Sequence, residues 1–215
     1  MSTSRLTSES PNLRLAILLL AAGQGSRMGT FPKALIKKSG QSLLKRFCLA
    51  AQTLNPVQLL LVTGFHAPAI EGHLQSFINE LNYPVKVLHN SQPDKGQGSS
   101  IRLGLESTTK NYDVLLVALS DQPEIGSAEI QALLEEYQNK DPDQEMILPM
   151  VDGQRGNPVL FSKKSIEAML EIPGMVCRPY MDTHTEKVKQ FITKNRAYLV
   201  DVDTEEDIQR QALAK

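Results

Sequence analysis

The chain of 215 residues carries 23 Lys and Arg against 24 Asp and Glu, a formal charge of −1. That balance gives no bulk attraction to nucleic acid or to an anionic membrane, so an anionic substrate would have to be held by local cations. The length fits one domain with a core that needs no disulfides, and the two cysteines, Cys48 and Cys177, lie far apart with no CxxC spacing, as expected in a reducing cytoplasm. His66, His73, His89 and His184 lack metal-ligand spacing, which speaks against zinc.

Residues 1–13 (MSTSRLTSESPNL) are dominated by Ser and Thr and are expected to form a disordered tail ahead of a domain over 14–215. Arg14 and the apolar run after it resemble a secretory signal, with Ala21-Ala22-Gly23 as its end. Cleavage there would remove the strand that the next loop requires, so Leu15 to Ala22 is read as a buried strand, too short to span a bilayer. Beyond it, Gly23, Gly25 and Gly29 have no Cβ, can take positive φ, and can aim backbone N–H groups at an anion. Arg27 and Lys33 add charge to the same loop. The spacing matches neither the dinucleotide-binding GxGxxG nor a P-loop, so a phosphate cradle stands here beside a purely structural turn.

Ser42 to Leu54 reads as an amphipathic helix with Leu43, Phe47, Ala50 and Leu54 on one face and Cys48 packed as a small apolar residue. Val57 to Thr63 is a second buried strand, 67–81 a helix and Val85 to His89 a third strand; strand, helix, strand implies a parallel crossover. At Gly96 a stretch with Gly98, Ser99 and Ser100 opens a helix through Ile101, Arg102 and Leu105, with serine as its expected cap. Val114 to Leu119 reads as the central strand. It ends at Asp121, where a carboxylate just past a strand end faces the crevice of an open α/β sheet. Ser127 is the expected cap of the next helix, whose apolar face is Ile130, Leu133, Leu134 and Tyr137, and this leaves Asp121 for chemistry. A strand from Met146, a turn at Arg155-Gly156-Asn157-Pro158, a short strand Val159 to Phe161 and an acidic closing helix from Glu205 complete the chain.

LAAGQGSRMGTFPK (20–33) resembles the signature loop of the molybdenum cofactor nucleotidyltransferases, in particular the molybdopterin cytidylyltransferase branch. NSQPDKGQGSSIRLGL (90–105), LLVALSDQP (115–123), RGNPVLF (155–161) and DVDTEED (201–207) resemble further motifs of that branch, in the same order. The resemblance implies a single-domain, three-layer α/β/α fold with a mixed, mainly parallel sheet, Rossmann-like in character. It implies transfer of a nucleotidyl group from a triphosphate, CTP in this branch, to a phosphorylated pterin-type acceptor, with a molybdoenzyme or chaperone downstream.

Carried onto this chain, the resemblance makes Ala21, Ala22, Gly23, Gly25, Arg27, Lys33, Gly98, Ser99, Ser100 and Asp121 the nucleotide-binding set. Lys33 and Arg27 become the catalytic cations, Asp121 and Asp203 the ligands of Mg²⁺ with Asp201 as a weaker candidate, and Arg155, Asn157 and Arg178 the acceptor set. The chain departs from the branch at Asn157, where Arg-Gly-His-Pro is usual. It departs again at GMVCRP (174–179), which keeps Arg178 but not an acidic residue. A sugar- or polyol-phosphate nucleotidyltransferase therefore stands as an alternative, as does a non-catalytic nucleotide sensor or insertion chaperone. Loss of Lys33 is expected to cost turnover and to leave melting unchanged.

Overall fold

A strand with no polar face has to be covered on both sides, and the first strand is buried at every position. The computed structural model describes residues 13–29, 31–109 and 111–215. The tail expected over 1–13 lies outside the described residues except for Leu13, which packs partly buried against the core. In chain order the strands are β1 (Leu15–Ala21), β2 (Lys37–Lys38), β3 (Gln41–Ser42), β4 (Gln58–Thr63), β5 (Val85–His89), β6 (Val114–Leu119), β7 (Met146–Val151), β8 (Gln154–Arg155), β9 (Val159–Ser162) and β10 (Val188–Ile192). The helices are α1 (Leu43–Gln52), α2 (Ala67–Gln75), α3 (Gln97–Ser107), α4 (Ser127–Gln138), α5 (Lys163–Glu171), α6 (Cys177–Thr183) and α7 (Glu205–Arg210).

One sheet runs in the order β10-β7-β9-β6-β1-β4-β5, with β8 paired to β7. β5, β4, β1 and β6 are mutually parallel. β9 is antiparallel to both β6 and β7, and β10 returns parallel to β7. The sheet is therefore mixed and mainly parallel, as the resemblance implied. The two-residue alternation of β1 sorts its side chains into separate cores. Leu15, Ile17, Leu19 and Ala21 join Leu44 and Phe47 of α1, Ile70 and Leu74 of α2, and Ile130 and Leu133 of α4. Ala16, Leu18, Leu20 and Ala22 join Ile101 and Leu105 of α3, Ile166 and Met169 of α5, and Tyr180 of α6. Each such fully buried aliphatic side chain contributes roughly 1.5–3 kcal/mol, and the result is three layers. α3 lies especially close to the sheet, because a Cβ at Gly104 would collide with Leu18.

Several boundaries differ from the sequence reading. The helix expected over 67–81 ends at Gln75, where Phe77 turns into the core, and only a short 3-10 turn, Ile78–Glu80, follows. The buried stripe of α1 is Leu43, Leu44, Phe47, Cys48 and Ala51, which leaves Ala50 and Leu54 at its margin. Glycine, not serine, precedes two helices. Gly96 stands before α3, and Gly126 before α4, its N–H bonded to Glu129 Oε2 at 3.0 Å. Asp121 caps neither helix, so it stays available by a different route from the one expected.

A third, smaller core joins the two ends of the chain. Met28, Ile36 and Leu43 pack against Val202, Ile208 and Leu213. Lys37 and Ala214 exchange backbone hydrogen bonds of 2.7 and 2.9 Å beside them. The loop after β1 is thereby fastened to the segment that carries Asp203. Among the described residues no helix is long and apolar enough to cross a membrane.

Candidate active site

The carboxyl ends of β1, β4, β5 and β6 share one edge of the sheet, where an open α/β fold places its ligands. The loop leaving β1 turns through Gly25 and Gly29 at φ of +64° and +66°. A Cβ on Gly25 would run into the Phe31 carbonyl oxygen, so the turn needs glycine there. Gly23 was expected to share this geometry, but it has no positive φ, and a Cβ on it would meet nothing within 4 Å. Its value is the open space it leaves in front of the backbone. Two 3-10 turns follow, Ser26–Met28 and Lys33–Leu35, and each sets a cation beside a buried anchor: Arg27 next to Met28, Lys33 next to Ala34.

These cations meet the two carboxylates singled out in the sequence. Lys33 Nζ donates to Asp121 Oδ2 at 3.0 Å and to Asp203 Oδ1, while Arg27 donates to Asp203 Oδ2 at 2.9 Å. Asp121 and Asp203 are tied through the backbone as well, since the Val202 N–H donates to the Asp121 carbonyl at 3.0 Å. Thr204 and Asp207 then cap α7, and the Asp207 carboxylate accepts the Asp203 N–H at 3.0 Å.

The electrostatics follow from this crowding. Burial opposes the charge on Lys33, but attraction to Asp121 and the hydrogen bonds to Asp203 and Asp121 outweigh it and hold the pKa above the ordinary 10.5. The hydrogen bond from Lys33 leads in holding Asp203 below 3.8, against partial burial. Asp201 shifts the other way, raised first by packing around its carboxyl group and then by repulsion from Asp121 and Asp203. Lys33 is thus no solvated surface lysine: its side chain is 20% exposed. The expectation of an unchanged melting temperature without it is set against this pairing, because its loss takes the lysine from Asp121 and leaves Asp203 with Arg27 alone.

Asp121 Oδ1 is buried and, among the described residues, without a hydrogen-bond partner. A carboxylate oxygen of this kind, next to a second carboxylate, suits a hard divalent cation. Among the described residues no group of three or more His, Cys, Asp or Glu is arranged to hold a metal. Asp121 and Asp203 therefore fit a cation that draws its remaining ligands from substrate oxygens and water, the usual habit of Mg²⁺.

A cleft of about 340 Å³ opens over these groups, lined by Ala21, Ala22, Gly23, Gly25, Arg27, Lys33, Ser100, Asp121 and Asp203. Gly98 and Ser99 do not reach it. A Cβ on Gly98 would point toward Val176, and the Ser99 hydroxyl is held by the Gly96 carbonyl at 2.8 Å and by Asn90 Nδ2 at 2.9 Å. Asn90, itself buried, also bonds the Ser100 hydroxyl, so it clamps the start of α3 from beneath. A second cavity of about 160 Å³ shares Leu20, Gln97 and Leu119 with the first and holds Arg155, Asn157 and Arg178. The rest of its wall is mainly apolar, including Ile101, Val117, Leu148, Phe161 and Met181. Arg155 is paired with Asp182 at 2.5 Å.

The model of the MobA-like NTP transferase domain matches residues 17–187. The chain belongs to the MobA-like NTP transferase domain family. This NTP transferase domain is 29% identical over 153 residues to the bifunctional protein GlmU of Prochlorococcus marinus, covering 71% of the chain but 32% of that relative's length. Its fold is similar to that of Rv0371c from Mycobacterium tuberculosis, with a TM-score of 0.70 at 21% identity over 92% of this chain and 97% of the other. Rv0371c has also been solved in complex with manganese. The 4-diphosphocytidyl-2C-methyl-D-erythritol synthase of Anaerococcus prevotii shares the fold at a TM-score of 0.68 and 14% identity, over 93% of this chain and 95% of that one.

Some residues of the NTP transferase cleft were not singled out in the sequence. Gln24, Pro93, Gln97 and Ser120 line it from within the motif stretches, and Phe65 lines it from outside them. Phe65 stands two residues past the buried strand β4, as Asp121 stands two past β6, so the strand-end rule that singles out Asp121 would have found it too. Arg102 is another case: its guanidinium donates to the carbonyls of Leu170 and Ile172, each at 3.1 Å. It thereby satisfies orphan carbonyls at the end of α5 and fixes the wall that bears Cys177 and Arg178.

Proposed function

We propose that this domain transfers a nucleotidyl group from a nucleoside triphosphate, CTP by preference, to a phosphomonoester of the pterin type. The observation that carries the reading is Lys33 held between Asp121 and Asp203 at the glycine loop, beside a second cavity bearing two arginines. In the reaction an acceptor phosphate oxygen bonds to the α-phosphorus, the bond from that phosphorus to the β-phosphate bridge breaks, and pyrophosphate leaves. Such chemistry depends on positioning and on neutralising charge, with no protein nucleophile.

The loop N–H groups at Gly23 and Gly25 would receive phosphate oxygens, with Arg27 and Lys33 turning from the carboxylates to the polyphosphate. Asp121 and Asp203 would hold Mg²⁺, which supplies positive charge to the leaving pyrophosphate. Arg155 and Arg178 would bind the acceptor phosphate, while the apolar wall of the second cavity would take a flat body with few hydroxyls. The preference for CTP rests on the Ala21-Ala22-Gly23 sequence. The pairing of a cytidylyltransferase-like loop with two buried, unpaired cysteines is consistent with a cytoplasmic setting. A second reading, a polyol or sugar phosphate as acceptor, is favoured by Asn157 and by the fold shared with the erythritol synthase; a non-catalytic sensor would need neither carboxylate.

The test is pyrophosphate release from each of the four triphosphates with Mg²⁺ and either a phosphorylated pterin or a sugar or polyol phosphate. The expected result is release from CTP with the pterin acceptor, and collapse of turnover in Asp121→Asn with the fold intact. Release only with the polyol or sugar phosphates would replace the pterin reading, and no release from any triphosphate would overturn the transferase itself.

A further inference from the structure

Three large apolar side chains are exposed among the described residues, Phe65, Ile172 and Ile192. Only Phe65 of the three lines the main cleft, where it is 42% exposed on a wall shared by apolar side chains such as Leu20, Ile70 and Leu119 and by the charged groups Arg27, Lys33, Asp121 and Asp203. Its support is rigid. Gly64 before it packs so tightly that a Cβ there would stand 2.9 Å from atoms of both Ala22 and Pro93. His66 after it shares a hydrogen bond of 2.8 Å with the Gln24 carbonyl of the glycine loop. The ring is thus presented by a turn braced against both the loop and the entry to α3.

The order of the sheet says which part of a ligand meets it. Neighbouring strands stand about 4.8 Å apart, and β4 is two strands from β6, with β1 between them. Asp121 follows β6, the glycine loop follows β1, and Phe65 follows β4. A polyphosphate drawn to Lys33, Asp121 and the loop lies at the β6 side, so the nucleoside extends about 10 Å toward β4 and β5. An aromatic face there meets the part of the ligand that has a π-face of its own.

Building on the proposed function above, we infer that Phe65 is the platform on which the nucleoside base stacks. Every base offers a π-face, so this contact supplies affinity without choosing among bases. Choice then falls to polar groups across the cleft, such as Gln97 and Ser100.

The test is calorimetry with CTP, UTP, ATP, GTP and inorganic tripolyphosphate, in the presence of Mg²⁺, on the wild type, Phe65→Leu and Phe65→Tyr. Phe65→Leu is expected to weaken all four nucleotides at least about fivefold, the order expected when base–aromatic stacking is removed, with tripolyphosphate unaffected and Phe65→Tyr near wild type. Nucleotide binding unchanged in Phe65→Leu, or a parallel loss for tripolyphosphate, overturns the inference and leaves the transferase reading standing. Wild-type protein that binds tripolyphosphate but no nucleotide overturns both.

Discussion

The larger cleft is lined by ionised groups that hold one another, Lys33 and Arg27 against Asp121 and Asp203, whereas the smaller cavity is a largely apolar pocket with Arg155 paired to Asp182 at its edge. The first binds largely by exchange: a phosphate that draws Lys33 or Arg27, or a metal that takes Asp121 Oδ2 or Asp203, competes with an internal partner of the same sign. The second binds by shape and desolvation, with charge supplying orientation. Damage to the two should therefore show in different parameters.

The largest difference is expected from Lys33→Ala. Removing a group that neutralises charge in the transition state costs on the order of a hundredfold in turnover, with little change in acceptor KM. The same substitution takes the lysine from Asp121 and leaves Asp203 with Arg27 alone, so the melting temperature should fall without Mg²⁺ and recover as Mg²⁺ is added. Steady-state kinetics beside thermal melts at several Mg²⁺ concentrations check both halves. Turnover within about threefold of wild type, a loss below 1 kcal/mol, would remove Lys33 from the chemistry.

Arg155→Ala should do the reverse at smaller scale. The acceptor KM is expected to rise roughly tenfold, as for loss of a charge-assisted hydrogen bond, with CTP affinity unchanged. Equal losses for both substrates would mean that the two cavities act as one.

Acidity gives the smallest expected effect. Asp203 is depressed, so its pairing contributes stability that is present above its ordinary 3.8 and lost as the pH falls through the lower folded value. Lys33 is raised, so its contribution is present below 10.5 and lost as the pH climbs through the higher folded value. Melting temperature should be level between these limits as far as this pair is concerned. The acid-side contribution of the pair, amounting to roughly a few degrees at most in a chain of this size, should shrink in Lys33→Ala. An identical pH profile in the variant would show that the pair contributes nothing measurable.

The same contrast explains what the sequence made legible. β1 and β6 are continuous apolar runs ended by Gly23 and Asp121, and a buried parallel strand with a ligand at its carboxyl end leaves that mark in one dimension. Asp203 was legible through its motif, but its contact with Lys33, 170 residues away in sequence, was not. Nor was the contact of Lys33 with Asp121, 88 residues away. Gly98 and Ser99 were placed by motif position, yet along the first turn of a helix each residue faces a different way, and Gln97 and Ser100 line the cleft where Gly98 and Ser99 do not. Arg102 was read only as part of the α3 run, because beyond its i,i+4 partner Glu106 it reaches carbonyls at the end of another helix, which no local pattern records.

The small core of Met28, Ile36 and Leu43 with Val202, Ile208 and Leu213 bears on how the molecule is made. Chains leave the ribosome at about 5–20 residues per second, so the glycine loop waits roughly ten seconds or more for the residues that pin it. β1, β4, β5 and β6 can pair and cover both faces well before then. The nascent protein thus acquires its scaffold early and its candidate site last, and a product cut short before Val202 would carry the sheet but neither Asp203 nor a fastened loop.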